Sequence, residues 1–323
     1  MKKKIIIIAV LVIALAVGVF FLTGNSGYKK DSADTEDAFL SRVEAVGYEN
    51  TVAAAIPQTE IYSIINEHFR SPLKDGKAEK KAILIGYDGC RADILTEIAE
   101  GSSGIDALTA QGAPLNLAYC GGVNYPEKNT QDTSTAPGWC SVLTGKWANE
   151  HGITGNDITK AMDTKTLFTS LTEDKTIDSA SFITKWAGHF SRKNATYLDE
   201  KKYCEDNGLP VSFVKCKNDE ASFNYTVEEL RKEVCSDFIF SILEPTDSTG
   251  HGKGFSHNNP EYKEAFKKAD LYAKNIIDAI TARETFEQED WLVIITSDHG
   301  GIGTDHGKES IQERMIFIVA DYL

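Results

Sequence analysis

The chain begins with Lys2, Lys3 and Lys4, followed by an unbroken apolar run from Ile5 to Leu22 in which Gly18 is the one small interruption. A helix of that length roughly spans the hydrocarbon layer of a bilayer, at about 1.5 Å per residue. The run is apolar on every face, which separates it from an ordinary core helix. The leading lysines favour a cytoplasmic N-terminus and an exported remainder. Residues 1–24 are therefore read as a transmembrane anchor, with a cleaved signal peptide as the alternative.

Residues 25–80 read as a tether followed by approach helices. The stretch from Asn25 to Asp37 is polar and rich in Ser, Gly, Asp and Lys, a composition that does not bury itself. Between Phe39 and Phe69, apolar residues recur at helical spacing (Val43, Val46, Ile61, Ile64, Ile65), predicting one or two helices that pack on the main domain. A polar, basic linker from Leu73 to Lys81 leads into the first strand.

From residue 81 onward the pattern changes. Lys81–Tyr87, Phe238–Leu243, Leu292–Thr296 and Met315–Val319 are short runs rich in Ile, Val and Leu, as expected of strands buried on both faces. Longer helical patterns separate them. The clearest runs from Glu261 to Arg283, with Phe266, Ala269, Ile276, Ile277 and Ile280 as its inner face. Strands alternating with helices predict an α/β domain over residues 81–323, a mostly parallel central sheet with helices on both faces. Residues 164–236 are expected to form a substrate cap. Its aromatic residues (among them Phe168, Trp186, Phe190 and Tyr197) suit either core packing or stacking on a base.

Composition narrows the function. With 323 residues, 41% of them hydrophobic and 25% charged, the chain can bury a substantial core. A formal net charge of −14 argues against long nucleic acid as a partner, because the phosphates would be repelled. Six cysteines in an exported chain permit disulfides, and Cys204 with Cys216, flanking a turn-rich stretch, is the pair to test first. The alternative is buried thiols.

Three of the expected strands end on acidic residues. The first runs into Asp88, the second passes through Glu244 and Pro245 to Asp247, and the third runs into Asp298 and His299. Ligands of open α/β sheets bind beyond the carboxyl ends of the strands, so these acids converge. Unpaired, they would repel one another, and a shared cation removes that repulsion. His251, His299 and His306 accompany them. Mixed imidazole and carboxylate donors suit zinc, and six donors exceed one tetrahedral ion, so two zinc ions are expected. Taken singly, a strand-end Asp is as readily a helix cap and a lone His a structural residue. Their arrival together at the strand ends favours the metal reading.

The stretch 132–145 (DTSTAPGWCSVLTG) offers a nucleophile. Pro137 is expected at the first helical position, placing Thr135 at a helix N-terminus where an anion is favoured. Thr133 and Ser134 remain rivals on this reading alone.

These residues resemble the alkaline phosphatase superfamily, and most closely its nucleotide pyrophosphatase/phosphodiesterase branch, over roughly Lys81 to Leu323. The carriers are Asp88 after the first strand, TAPGWCSVLTGKWANEHGITGN, DSTGH with Gly254 and Glu261-Tyr262, Ser297 to Gly300, and His306. The resemblance implies Thr135 as nucleophile and Asn156 as phosphate-binding residue. It further implies one zinc on Asp88, Thr135, Asp298 and His299, and a second on Asp247, His251 and His306. Thr135 would form a covalent phospho-threonine, while Asn156 and the backbone N–H of Thr135 or Ala136 hold a nonbridging oxygen. His151, Arg91 and His257, near the motifs, are read as supporting or structural. Gly138 and Trp139 depart from the Asn or His usual after Thr-x-Pro. The implied activity is extracytoplasmic zinc-dependent cleavage of phosphodiester or pyrophosphate bonds in a small substrate, with nucleotides among the candidates. A phosphomonoesterase, a phosphonate hydrolase and a lipid-headgroup phosphotransferase are the alternatives on the same scaffold. A sulfatase is disfavoured because the formylglycine pattern is missing at the nucleophile. A non-catalytic surface binding protein is disfavoured because every ligand and the nucleophile are present.

Overall fold

The computed structural model describes residues 34–121, 131–157, 162 and 164–323. The expected anchor at 1–24 lies outside them. Among the described residues no helix is long and apolar enough to cross a membrane.

Eight strands form one sheet: β1 (Ile56–Pro57), β2 (Glu79–Tyr87), β3 (Leu115–Tyr119), β4 (Ala180–Thr184), β5 (Val211–Lys215), β6 (Phe238–Leu243), β7 (Glu289–Ser297) and β8 (Met315–Tyr322). Their order across the sheet is β1-β3-β8-β7-β2-β6-β4-β5. All neighbours pair in parallel except β8, which runs antiparallel to both β3 and β7. The sheet is thus mixed and mostly parallel.

Alternation along β2 shows why its sequence reads as an unbroken apolar run. Ala82 and Leu84 face one layer, with Ile61, Ile65 and Phe69 from the Glu60–Arg70 helix and Trp139, Val142 and Leu143 from the Thr135–Thr144 helix. Ile83, Ile85 and Tyr87 face the other, against Phe266, Ile276, Ile277 and Ile280 of the Pro260–Thr281 helix. Both faces are covered, so the run from Ala82 to Ile85 is apolar throughout. The Pro260–Thr281 helix starts at an Asn259 cap that accepts from Glu261 N–H, one residue from where the apolar spacing begins.

The approach segment supplies the Glu36–Val46 and Glu60–Arg70 helices, and its Ile56–Pro57 pair joins the sheet edge beside β3. Residues 164–236 do not stand over the sheet as a cap. They contribute β4 and β5, and Phe168, Phe182 and Phe240 stack in the core at centroid separations of 4.9–6.3 Å. Phe190 and Tyr197 are buried with them. The disulfide expectation is also corrected. All six cysteines, Cys204 and Cys216 included, are free and buried, packed as small apolar residues.

Register brings the acidic residues to one rim. Tyr87 lies opposite both Leu243 and Ser297, so Asp88, Glu244 and Asp298 leave three adjacent strands at the same level.

Candidate active site

Asp88, Asp298 and His299 are fully buried where β2 and β7 end. The turn after Asp88 requires glycine: Gly89 has φ +64°, and a Cβ there would sit 2.9 Å from Asp247 Cα. Its carbonyl accepts from Tyr262 OH at 2.6 Å, which ties the turn to the Pro260–Thr281 helix. Asp247 and His251 lie one helical turn apart in the Pro245–Lys253 helix and so share a face. His306 arrives from the loop after β7.

The nucleophile loop is held against the His306 loop. Thr133 Oγ1 donates to Lys308 O (2.6 Å) and accepts from Gly307 N (3.0 Å), which gives Thr133 a structural role. Ser134 is the helix cap residue and Thr135 the first helical residue, so Pro137 stands third rather than first. Thr135 Oγ1 lies 3.4 Å from Asp88 Oδ1 and 3.4 Å from His299 Nε2. Of the three rival hydroxyls, it alone is recorded against these donors.

Each of three imidazoles is aimed by a backbone carbonyl. His299 Nδ1 meets Gly300 O at 2.7 Å, His251 Nδ1 meets Thr304 O at 3.0 Å, and His306 Nδ1 meets Thr133 O at 3.0 Å. A carbonyl only accepts, so each Nδ1 carries a proton and each ring turns its Nε2 inward. His299 Nε2 then faces Asp88 Oδ1 and Asp298 Oδ2, both at 3.5 Å. His251 Nε2 and His306 Nε2 face each other at 3.1 Å, and lie 3.4 and 3.6 Å from Asp247 Oδ1. Lone pairs opposed to lone pairs and to carboxylates are repulsive unless a proton or a cation lies between them.

The donors fit zinc. A tetrahedral ion with bonds of about 2.0–2.1 Å sets its ligands about 3.3 Å apart, close to the separations in both groups. Asp247 Oδ1 and Asp298 Oδ2 are buried with no hydrogen-bond partner, as a cation ligand would be. Asp88, Asp298 and His299 present ligand atoms within 4.8 Å of one another, as do Asp247, His299 and His306. The remaining Asp298 oxygen accepts from Gly89 N–H (3.1 Å) and His299 N–H (2.9 Å).

Without a metal the cluster must retain protons. Burial, with the Asp88 charge beside it, pushes Asp298 well above the usual carboxylate range. Burial also raises Asp88, but the His299 hydrogen bond and charge bring it below its ordinary value. Burial would lower His299, yet the Asp298 and Asp88 charges hold it at about 10. Burial and the His299 charge drive His306 down to about 2, and burial next to Asp88 raises Asp247 to about 6. Metal loading therefore displaces protons.

Asn156 reaches the nucleophile helix. Its Oδ1 accepts from Ala136 N–H at 2.8 Å, which presents the NH2 end elsewhere and removes Ala136 N–H as an oxyanion donor. Asn156, Ser134, His251 and His306 line a cleft of about 390 Å³.

Other residues singled out in the sequence are structural. Arg91 is buried between Asp34 and Asp93 and donates to Phe255 O (2.6 Å). His257 Nε2 meets Thr96 Oγ1 at 2.8 Å. His151 is buried beside Ser141 Oγ (3.2 Å). Three contributors were not foreseen. Buried Gln58 donates to Gly138 O (3.1 Å), fixing the nucleophile helix from the approach segment. The Trp139 indole N–H points at Asp88 Oδ2 (3.5 Å), and that indole also fills the space above Gly86. Glu244, buried beside Asp88 and raised to about 8, accepts from Trp186 N–H (2.9 Å). Gln58 sits in a polar segment with no distinguishing pattern. Glu244 stands at the end of β6, where the sequence shows an acid but not its partners.

No curated protein sequence gives a significant match. Among solved structures, an alkaline phosphatase superfamily protein from Vibrio parahaemolyticus superposes with a TM-score of 0.52 at 13% identity, covering 89% of this chain and 69% of that one. Murine ectonucleotide pyrophosphatase/phosphodiesterase 5, in an inactive variant complexed with AMP, gives a TM-score of 0.46 at 17% identity, covering 68% of this chain. The match spans 57% of that protein's length. The lipoteichoic acid synthase LtaP of Listeria monocytogenes gives 0.46 at 15% identity, over 80% of this chain and 71% of that one. The fold is alkaline phosphatase-like. The sequence model for type I phosphodiesterase / nucleotide pyrophosphatase matches residues 82–318, from the first central strand into the last. The chain belongs to the type I phosphodiesterase / nucleotide pyrophosphatase family.

Proposed function

We propose that the protein is a zinc-dependent phosphoric ester hydrolase, held at a membrane by residues 1–24 with its catalytic domain outside the cytoplasm. It cleaves phosphodiester or pyrophosphate bonds in small substrates, nucleotides among them. The observation that carries this reading is the set of three backbone-aimed imidazoles whose Nε2 atoms lie within 3.4–3.6 Å of Asp88, Asp247, Asp298 and Thr135. Asp88, Thr135, Asp298 and His299 would hold one zinc, and Asp247, His251 and His306 the other.

When bound, zinc supplies Lewis-acid polarisation of phosphoryl oxygens and acidifies a hydroxyl or water beside it. Thr135 Oγ1 gives up its proton to solvent water and attacks phosphorus in line with the leaving alcohol or phosphate. The new Oγ1–P bond forms as the P–O bond to the leaving group breaks, and the leaving oxygen takes a proton from water. Water then attacks the phospho-threonine, releases the phosphate product and returns the Thr135 hydroxyl. The Thr135 N–H, at the first position of the helix, and the Asn156 amide are the donors for the charge that develops on a nonbridging oxygen.

The test is Thr135→Ala in zinc-loaded protein, assayed on bis(p-nitrophenyl) phosphate, p-nitrophenyl phosphate, p-nitrophenyl sulfate and p-nitrophenyl phenylphosphonate. The variant should keep its zinc and its fold while turnover of the diester falls at least about a thousandfold. Unchanged turnover would move the nucleophile elsewhere. Wild-type preference for the monoester would transfer the reading to a phosphomonoesterase.

A further inference from the structure

Ser134 occupies the cap position of the nucleophile helix, yet its hydroxyl caps nothing. A cap serine normally accepts from the N–H of the second or third helical residue. Here neither is offered. The second residue, Ala136, gives its N–H to Asn156 Oδ1, and the third, Pro137, has none. Ser134 is 4% exposed, and its Oγ is a buried polar atom without a hydrogen-bond partner. A buried unpartnered hydroxyl costs about 1–3 kcal/mol, so an enclosed one calls for a ligand. Ser134 also lines the cleft shared by Asn156, His251 and His306.

We propose that Ser134 is a catalytic residue whose Oγ–H donates to a nonbridging oxygen of the phosphoryl group, beside the Asn156 amide and the Thr135 N–H. The ligand class is a tetrahedral or trigonal-bipyramidal oxyanion. The inference rests on the phosphoryl-transfer reading above and adds a donor to it. The sequence around the nucleophile carries the same message. Pro137 and Asn156 together strip the cap serine of its helical partners, which leaves an unpartnered hydroxyl adjacent to the nucleophile at the cleft. Its contribution is greatest when negative charge accumulates on that oxygen.

Ser134→Ala, Ser134→Gly and Ser134→Thr test this in full-length, zinc-loaded protein. Glycine is tolerated at helix caps, so it guards against a folding defect in the alanine variant. The readouts are zinc content, melting temperature, kcat and KM on bis(p-nitrophenyl) phosphate, inhibition by orthovanadate, and calorimetric binding of inorganic phosphate. Ala and Gly should keep zinc and melting temperature, lower kcat about a hundredfold with KM changed less than about threefold, and weaken orthovanadate by a comparable factor. Thr should restore most of both. The proposal is overturned if kcat and vanadate inhibition stay within about twofold of wild type, or if lost activity merely tracks lost zinc. Equal orthovanadate inhibition of wild type and Ser134→Ala, with phosphate binding and ester turnover retained, would remove this inference alone. A wild-type protein that binds phosphate but turns over none of the esters would remove the proposed function instead.

Discussion

Gly138 is the position where one added carbon should do most to the candidate site without touching a donor atom. It lies in the first turn of the nucleophile helix, directly over Asp298. A Cβ at Gly138 would stand 2.9 Å from Asp298 Cβ and 2.9 Å from its carbonyl oxygen. Favourable carbon contacts begin at about 3.5 Å, so relief requires a shift of roughly half an ångström or more. Neither side yields easily: Gln58 donates to Gly138 O, and Asp298 is clasped by the N–H groups of Gly89 and His299. Overpacking of this kind costs about 1–3 kcal/mol. At about 2–4 °C per kcal/mol for a domain of this size, Gly138→Ala should lower the melting temperature by roughly 2–12 °C. Displacing Asp298 from its 3.5 Å separation to His299 Nε2 should also weaken the metal by about 10–100-fold. Differential scanning calorimetry and zinc competition against a chromophoric chelator measure the two effects. Gly252→Ala is the control, since a Cβ there meets nothing within 4 Å and its backbone is helical. It should be neutral or stabilising by up to about 1 kcal/mol. Wild-type zinc affinity and melting temperature in Gly138→Ala would refute the packing argument.

Further outcomes follow from the same geometry. Zinc affinity, measured calorimetrically between pH 5 and 8, should fall on acidification. His299, held at about 10, must release its proton throughout that range, and Asp247, at about 6, adds a second proton below its own value, so the slope steepens under about pH 6. A pH-independent affinity would contradict the donor assignment. Arg91→Ala should destabilise by about 3–5 kcal/mol in denaturant titration, because Asp34 and Asp93 would be left buried beside an empty space. A loss under about 1 kcal/mol would show that the network is not holding the approach helices. Thiol titration should find little reactivity in native protein and six thiols in denaturant without reductant. Four or fewer would indicate a disulfide.

The parts legible in the sequence were those where one physical demand dominates. The middles of β2, β6 and β7 are buried on both faces, so their residues are mostly apolar, and the acids at their C-terminal ends stand out by contrast. β4 and β5 carry Ser181, Thr184 and Ser212, and short strands laced with hydroxyls read as loops in the sequence. Ser181 is nevertheless buried, paired with Ser236 Oγ at 2.8 Å, a partner 55 residues away that no local pattern announces. β1 has two residues, too few for any periodicity. The antiparallel direction of β8 was hidden because an apolar run carries no sense of direction. At the site, residue types and spacing pointed to Asp88, Asp247, Asp298 and the three histidines. Choosing Thr135 over Thr133 and Ser134 on the residues themselves needed the bond partners that only tertiary structure supplies.

The central claim is that these six side chains and the Thr135 oxygen hold two zinc ions. Crystals of zinc-loaded protein measured on both sides of the zinc absorption edge test it directly. The account predicts two anomalous peaks, one about 2.0–2.2 Å from His299 Nε2 and from oxygens of Asp88 and Asp298, the other at the same distance from His251 Nε2, His306 Nε2 and Asp247. A single peak, or peaks away from these atoms, would contradict it.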